Sequence, residues 1–359
     1  MENLRAIGWP YDGHAPDRID DPAWAALCAE FPDARPARVV AQHRTGYEVA
    51  RAPGEGVAVE SPPEWQRATG YRKGLVAPEE RAAVGDWVLV EGPLVEGAKI
   101  VALLPRHSAI KRGAAGEHYK QQLIAANVDT VFVVCGLDAD FNPLRIERYL
   151  LLVQGSGAQA VVLLTKADKA QQAAPGSVAA ALAGVRAIAG DTPVLALNAK
   201  DRDSIEALAP WLRPGSTAVL VGSSGAGKST LTNTLLGVEK MKTGEVRASD
   251  DRGRHTTTHR ALIALPSGAC LIDTPGMREL KPTGEETVAD SFADIEALAA
   301  DCRFRDCRHG REPGCAVRAA IEAGTLAPER LANFFKLKDE VAGAADRLGK
   351  RLDEKHGRR

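Results

Sequence analysis

The chain has 359 residues, enough for two or three domains, and 45% of them are apolar, so a full core needs no disulfide staples. Its net charge of −1 points neither toward nor away from nucleic acid. No run of about 18 apolar residues exists to span a membrane, and residues 1–25 carry scattered charges rather than a signal peptide, so the expectation is a cytoplasmic protein without a membrane partner.

Residues 1–36 form an N-terminal arm with no clean period. Trp9, Trp24, Leu27 and Phe31 either pack a short helix onto a later domain or belong to a loose tail. Residues 37–112 have an all-β texture. Short strands are predicted at Arg38–Ala41, Tyr47–Ala50, Gly56–Val59, Gly85–Val90 and Lys99–Leu104, separated by turn residues. Five such strands in about 70 residues predict a small OB-like barrel, a fold that often binds oligonucleotides. The loop from Ser61 to Lys73 interleaves Trp65 and Tyr71 with Arg67, Arg72 and Lys73. It is either a base-stacking surface or a solvated loop with one core tryptophan. Arg106, His107, Lys111 and Arg112 form a second basic cluster at the barrel exit.

Residues 113–283 read as α/β. Val128–Val134, Gln159–Leu164 and Pro193–Leu197 are buried parallel-type strands, and Leu144–Gln154, 177–189 and Ser204–Leu212 are helices between them. A further strand, Thr217–Val221, runs into Gly222-Ser223-Ser224-Gly225-Ala226-Gly227-Lys228-Ser229-Thr230, and a helical pattern follows. This is the phosphate-binding loop GxxxxGK[ST] in its required strand–loop–helix context. Glycines allow successive backbone N–H groups to face phosphate oxygens, and the helix N-terminus adds its dipole. Lys228 would reach the β- and γ-phosphates, and the Ser229 hydroxyl would take one Mg²⁺ position.

Thr165-Lys166-Ala167-Asp168, at the end of a buried strand, matches the guanine box [NT]KxD. Its aspartate can accept from N1–H and the exocyclic amine of guanine, a donor pair that adenine lacks. The Lys166 stem would cover the base, and the Thr165 hydroxyl can brace the phosphate loop. Asn198-Ala199-Lys200 stands where a supporting box would offer backbone N–H to guanine O6. In Asp273-Thr-Pro-Gly276 the carboxylate would hold Mg²⁺ through water, and the Gly276 N–H would sense the γ-phosphate. Between these boxes lies Gly253-Arg-His-Thr-Thr-Thr258, with Thr257, or else Thr258, as the switch threonine on Mg²⁺. Where Ras-like enzymes place a water-orienting glutamine, this chain has Met277. Intrinsic turnover should therefore be slow, with His255 as the candidate catalytic group and a plain surface-loop histidine as the alternative. The guanine box precedes the phosphate loop, so the domain is circularly permuted.

Residues 284–359 are predicted helical at 285–299 and 316–323 and end in a basic tail. Cys302-x4-Cys307-x-His309-x5-Cys315 supplies a Cys₃His set suited to one structural Zn²⁺. Arg303, Arg305, Arg308 and Arg311 are interleaved as an RNA-facing knuckle requires.

A small barrel, a permuted P-loop GTPase and a Cys₃His knuckle, in that order over about residues 37–325, resemble the ribosome-small-subunit-dependent GTPase A family. The resemblance implies a monomeric factor that binds the small (30S) subunit and its 16S rRNA late in maturation. It also implies that the factor hydrolyses GTP to GDP when stimulated by that particle and then leaves. The alternative is an rRNA-binding module that keeps GTP as a structural or sensing ligand.

Overall fold

The computed structural model describes residues 2–10, 21–43, 46–65, 76, 80–94, 97–114, 117–237, 260–273, 292–310, 312–328, 330–332, 334–335 and 338. Two compact units result: residues 1–111 together with 122–280, and residues 112–121 together with 281–359.

In the first unit, the α/β part is a parallel sheet of β8 (Thr130–Gly136), β9 (Gln159–Thr165), β10 (Val194–Ala196), β11 (Thr217–Val221) and β13 (Cys270–Asp273), in spatial order β10-β9-β8-β11-β13. The antiparallel strand β12 (Arg260–Ala264) extends it beside β13. Strand β8 is buried along its whole length, as its continuous apolar run predicts. Its side chains alternate between two cores. Val131, Val133 and Cys135 join Ile146 and Tyr149 of α3 (Pro143–Val153) and Val185 of α5 (Ser177–Ala189). Phe132 and Val134 join Leu208 and Leu231, the latter on α7 (Lys228–Leu236). Burial in the first core pushes the Tyr149 phenol up to about 12. Helix α3 starts where Asn142 accepts from the backbone N–H of Leu144 and Arg145, with Pro143 at the first helical position.

Five further strands, β1 (Arg35–Gln42), β2 (Tyr47–Ala50), β3 (Val57–Val59), β4 (Trp87–Glu91) and β5 (Lys99–Leu103), lie where short strands were predicted. They pair antiparallel in the order β3-β2-β1-β4-β5, and a parallel bridge from Glu60 to Lys99 joins the two ends. A ring of five strands with that closure is a small barrel. One feature was not anticipated: β1 also pairs with β12, Ala41 with Ala261 and Gln42 with Arg260. The barrel and the α/β sheet therefore share one eleven-stranded sheet.

The N-terminal arm is packed, not loose. Helix α1 (Glu2–Arg5) and helix α2 (Pro22–Glu30) place Leu4, Ile7, Trp9, Trp24 and Cys28 against Trp87, Leu89, Leu104 and Cys270. Trp9 meets Trp87 edge-on with ring centroids 4.8 Å apart. Beneath them Arg38 is only 1% exposed. Its guanidinium donates to the carbonyls of Ile7 at 2.5 Å, Gly85 at 3.1 Å and Asn127 at 3.1 Å, and it lies over the Trp87 ring. Arm, barrel and α/β sheet are thus tied by one buried cation, whose pKa burial lowers.

Two members of the expected basic cluster at the barrel exit are committed to carboxylates. Arg106 forms a bidentate pair with Asp86, both contacts 2.8 Å, and Asp86 is wholly buried. His107 lies 3.5 Å from the Asp129 carboxylate. Trp65 packs edge-on against Tyr47 with centroids 5.9 Å apart and sits on the barrel core, which is the core-tryptophan reading of that loop. Arg67, Tyr71, Arg72 and Lys73 lie outside the described residues. Around residue 112 the chain forms a two-stranded hairpin of β6 (Ala109–Ala114) and β7 (Glu117–Ala126).

The second unit contains helices α8 (Ala293–Ala300) and α9 (Ala316–Glu322). Phe292 and Phe334 form its aromatic centre, 5.4 Å apart, and Arg330 lies over Phe292 while pairing with Asp294. Of the predicted basic tail, residues 339–359 lie outside the described residues.

Candidate functional site

The phosphate loop leaves the carboxyl end of β11 and enters α7. Gly222 has φ 145°, and a Cβ there would stand 2.1 Å from the Val134 carbonyl oxygen. No larger residue fits between the loop and the neighbouring strand β8. Gly227, at φ 96°, caps the start of α7 in the left-handed region. The ammonium of Lys228 turns back onto the loop, donating to Gly222 O at 2.7 Å and Ser223 O at 2.6 Å. Ser223 and Gly227 to Thr230 are partly exposed, Ser224 and Gly225 are exposed, and Ala226 is buried beneath them. Ser229 lies in the first turn of α7 and Asp273 at the carboxyl end of β13. Strands β11 and β13 are parallel neighbours, so both residues emerge on one edge of the sheet.

The guanine box leaves β9 two strands away, and a single side chain joins it to the phosphate loop. The Thr165 hydroxyl, fully buried, donates to the Ala226 carbonyl at 2.6 Å. Lys166 adopts a left-handed backbone (φ 61°), which turns the chain into helix α4 (Ala167–Ala173). Asp168 lies exposed in the first turn of α4, and among the described residues no group bonds its carboxylate. The third segment closes in from β10: Ala167 N–H donates to the Leu197 carbonyl at 3.3 Å, and Thr234 of α7 donates to Ala199 O at 2.6 Å. The Asn198 side chain accepts from Lys200 N–H at 3.0 Å, fixing that turn. Thr165–Asp168, Asn198–Lys200 and Gly222–Thr230 are therefore brought together. His255, Thr257, Thr258, Gly276 and Met277 lie outside the described residues.

Sequence reasoning missed the loop after β8. Asp138 pairs with the Lys166 ammonium, and its other oxygen accepts from Asp140 N–H at 3.0 Å. Asp140 in turn takes two hydrogen bonds from Arg145, at 2.6 and 3.1 Å. Arg145 holds the Asp140 carboxyl below its ordinary value. The signal was available: a carboxylate-bearing segment, Leu137-Asp-Ala-Asp140, at the carboxyl end of a buried parallel strand, where ligands gather.

The residues present fit the groups that the motifs imply. The phosphate loop offers a glycine-lined turn, a helix N-terminus and an ammonium, a donor set made for a polyphosphate. In the second unit the ligand atoms of Cys302, Cys307, His309 and Cys315 all lie within 4.8 Å of one another. Bond lengths to tetrahedral zinc place sulfurs about 3.8 Å apart, and sulfur and nitrogen about 3.6 Å apart. The observed separations are 3.9 Å for Cys302–Cys315, 3.6 Å for Cys302–His309 and 3.4 Å for His309–Cys315. His309 is buried with a left-handed backbone (φ 53°), which holds its ring over the thiols.

Comparison with known proteins agrees with this geometry. The chain is similar to proteins named small ribosomal subunit biogenesis GTPase RsgA from Xanthomonas euvesicatoria pv. vesicatoria (strain 85-10) and Xanthomonas campestris pv. campestris (strain B100). Each is 64% identical over 351 residues, 97% of this chain and 91% of the relative. Among solved structures, YjeQ from Thermotoga maritima superposes with a TM-score of 0.59 at 23% identity, over 86% of this chain and 99% of that one. YloQ, described as a circularly permuted GTPase, gives 0.56 at 23% identity, over 86% and 96%. These two establish the fold, a circularly permuted GTPase. The profile of the RsgA GTPase family matches residues 103–283, and with relatives this similar over nearly the whole length, the chain belongs to that family.

Proposed function

We propose that this protein is a GTPase of small ribosomal subunit biogenesis, and that Thr165–Asp168, Asn198–Lys200 and Gly222–Thr230 hold its guanine nucleotide. One contact supports the site most. The Thr165 hydroxyl on Ala226 O ties the box that would read the base to the loop that would hold the phosphates. A guanine nucleotide bridges that pair of groups.

In this reading the Asp168 carboxylate accepts from the guanine edge, and Lys166, held by Asp138, lays its stem along the base. Loop N–H groups and Lys228 face the phosphates, where Lys228 exchanges its carbonyl partners for phosphate oxygens. Ser229, Thr257 and Asp273 are the residues that would hold Mg²⁺, which when bound neutralises phosphate charge. His255 is the group proposed to act on the attacking water once the partner orders it, because Met277 has no group that can orient one. Residues 37–112 serve as an OB-like RNA-binding barrel, 113–283 as the permuted GTPase domain, and 284–359 as a zinc-bearing helical domain. The partner is the small subunit, engaged through its 16S rRNA by a monomer.

Phosphate release measured with and without purified small subunits tests the reading. Strong stimulation is expected. Tight guanine-nucleotide binding without stimulation would replace it with the binder that merely senses GTP.

A further inference from the structure

Among the described phenylalanines of the second unit, Phe335 is half-buried and one stands out as exposed. Phe292 and Phe334 are 0% and 3% exposed, whereas Phe304 is 42% exposed. Among the described residues only Leu144 and Phe304 are large apolar side chains left in solvent. Phe304 is also held in place. It lies in the turn between ligands Cys302 and Cys307, with Arg303 N–H donating to Gly314 O at 3.0 Å and Cys307 N–H donating to Phe304 O at 3.2 Å. The backbone of this metal-ready turn is fixed, and the ring it carries leaves nearly half its surface in solvent.

Its surroundings are cationic. Arg303, Arg305 and Arg308 are all exposed, against the single carboxylate of Asp306 within the same turn. The Arg303 guanidinium carbon lies 5.7 Å from the Phe304 ring centroid, a cation–π distance. The nearby carboxylate of Glu312 is occupied by the chain's own backbone, accepting from Arg308 N–H at 3.1 Å and Gly310 N–H at 2.7 Å. An exposed ring with one guanidinium beside it and two further exposed arginines within four residues offers the chemistry that an unpaired base and its flanking phosphates take.

We propose that Phe304 is a stacking platform for an unpaired base of single-stranded RNA, with Arg303, Arg305 and Arg308 on the flanking phosphates. The proposal rests on the reading of an RNA particle as the partner and names the residue that grips it. Stacking is sequence-tolerant because every base has a π-face, so the platform selects exposed, unpaired RNA and not a particular base.

The test uses full-length, zinc-loaded protein and two probes at one salt concentration: an unstructured RNA oligonucleotide followed by fluorescence anisotropy, and small subunits followed by co-sedimentation. Phe304→Ala and Phe304→Leu should each weaken binding to both probes by about 10-fold, and Phe304→Tyr should retain it. Zinc content and subunit-free GTP turnover should not change. If the alanine variant loses zinc, the leucine variant, of similar bulk, decides. Leucine binding as well as phenylalanine overturns stacking, as does an alanine variant that equals wild type. Weaker subunit binding with unchanged oligonucleotide binding means a protein contact and overturns the RNA assignment, as does a wild-type protein with no affinity for the oligonucleotide. Wild-type protein that ignores the subunit altogether defeats the broader functional reading instead.

Discussion

Replacing Thr165 with valine removes one oxygen and almost no volume. That oxygen is fully buried, donates to Ala226 O at 2.6 Å and lies 3.4 Å from Cys135 O. Ala226 is 3% exposed, so water does not readily replace the lost donor. Leaving one buried acceptor without this partner costs about 1–3 kcal/mol, and the added methyl recovers only part of it. A loss of about 2 kcal/mol, placed entirely on the nucleotide-ready arrangement, weakens GDP binding about 30-fold. Placed instead on the whole unit, it comes out of a stability of about 5–15 kcal/mol. Urea unfolding of nucleotide-free protein and titration with a fluorescent GDP analogue separate the two, and their losses together should reach the predicted sum. Thr165→Ser keeps the hydroxyl and should bind like wild type. A valine variant within about twofold of wild-type affinity and with an unmoved unfolding midpoint would refute the claim that this bond joins the two boxes.

Asp168→Asn should lower guanine-nucleotide affinity by about 10²-fold or more and favour xanthine nucleotides, read by competition between GDP and XDP; unchanged preference would remove Asp168 from base reading. Arg106→Ala strands the buried Asp86 carboxylate and should cost about 3–5 kcal/mol in urea unfolding, whereas replacing both partners by leucine should cost much less. Arg145 depresses the Asp140 carboxyl, so the stabilisation this pair confers is complete above the unfolded value of about 3.9 and disappears as pH falls through the lower folded value. Because both side chains are partly exposed, the margin of wild type over Arg145→Gln should stay below about 1 kcal/mol at neutral pH and vanish in strong acid, followed by unfolding midpoints across that range. Cys307→Ser should abolish stoichiometric zinc and reduce the helicity contributed by α8 and α9; retained metal would break the ligand assignment.

The site was legible wherever its chemistry depends on local spacing. The phosphate loop, the guanine box and the Cys₃His ligands each lie within a few residues of chain, and the flanking apolar runs placed them on strand ends and turns. What stayed hidden was long-range. Arg38 sits in an apolar run, so strand alternation alone would aim it at solvent; only the packed N-terminal arm covers that face and supplies the Ile7 carbonyl. Pairing of β1 with β12 joins residues more than 200 positions apart, and no local pattern encodes which edges meet. The hairpin of β6 and β7 carries charge and glutamine with little alternation, so no strand pattern marks it in the sequence. Acidic residues after a strand are common, and what distinguishes Asp138 and Asp140 is that Lys166 and Arg145 fold back onto them.

The ladder between Gln42 and Arg260 has a mechanical corollary. Arg260 follows Thr257 by three positions in the chain, and its strand is paired with the barrel strand β1. A load applied to β1 is therefore carried by backbone pairing into β12 and on to β13. Slipping β12 by one residue would turn every side chain along it to the opposite face, so barrel and α/β sheet join in one register only.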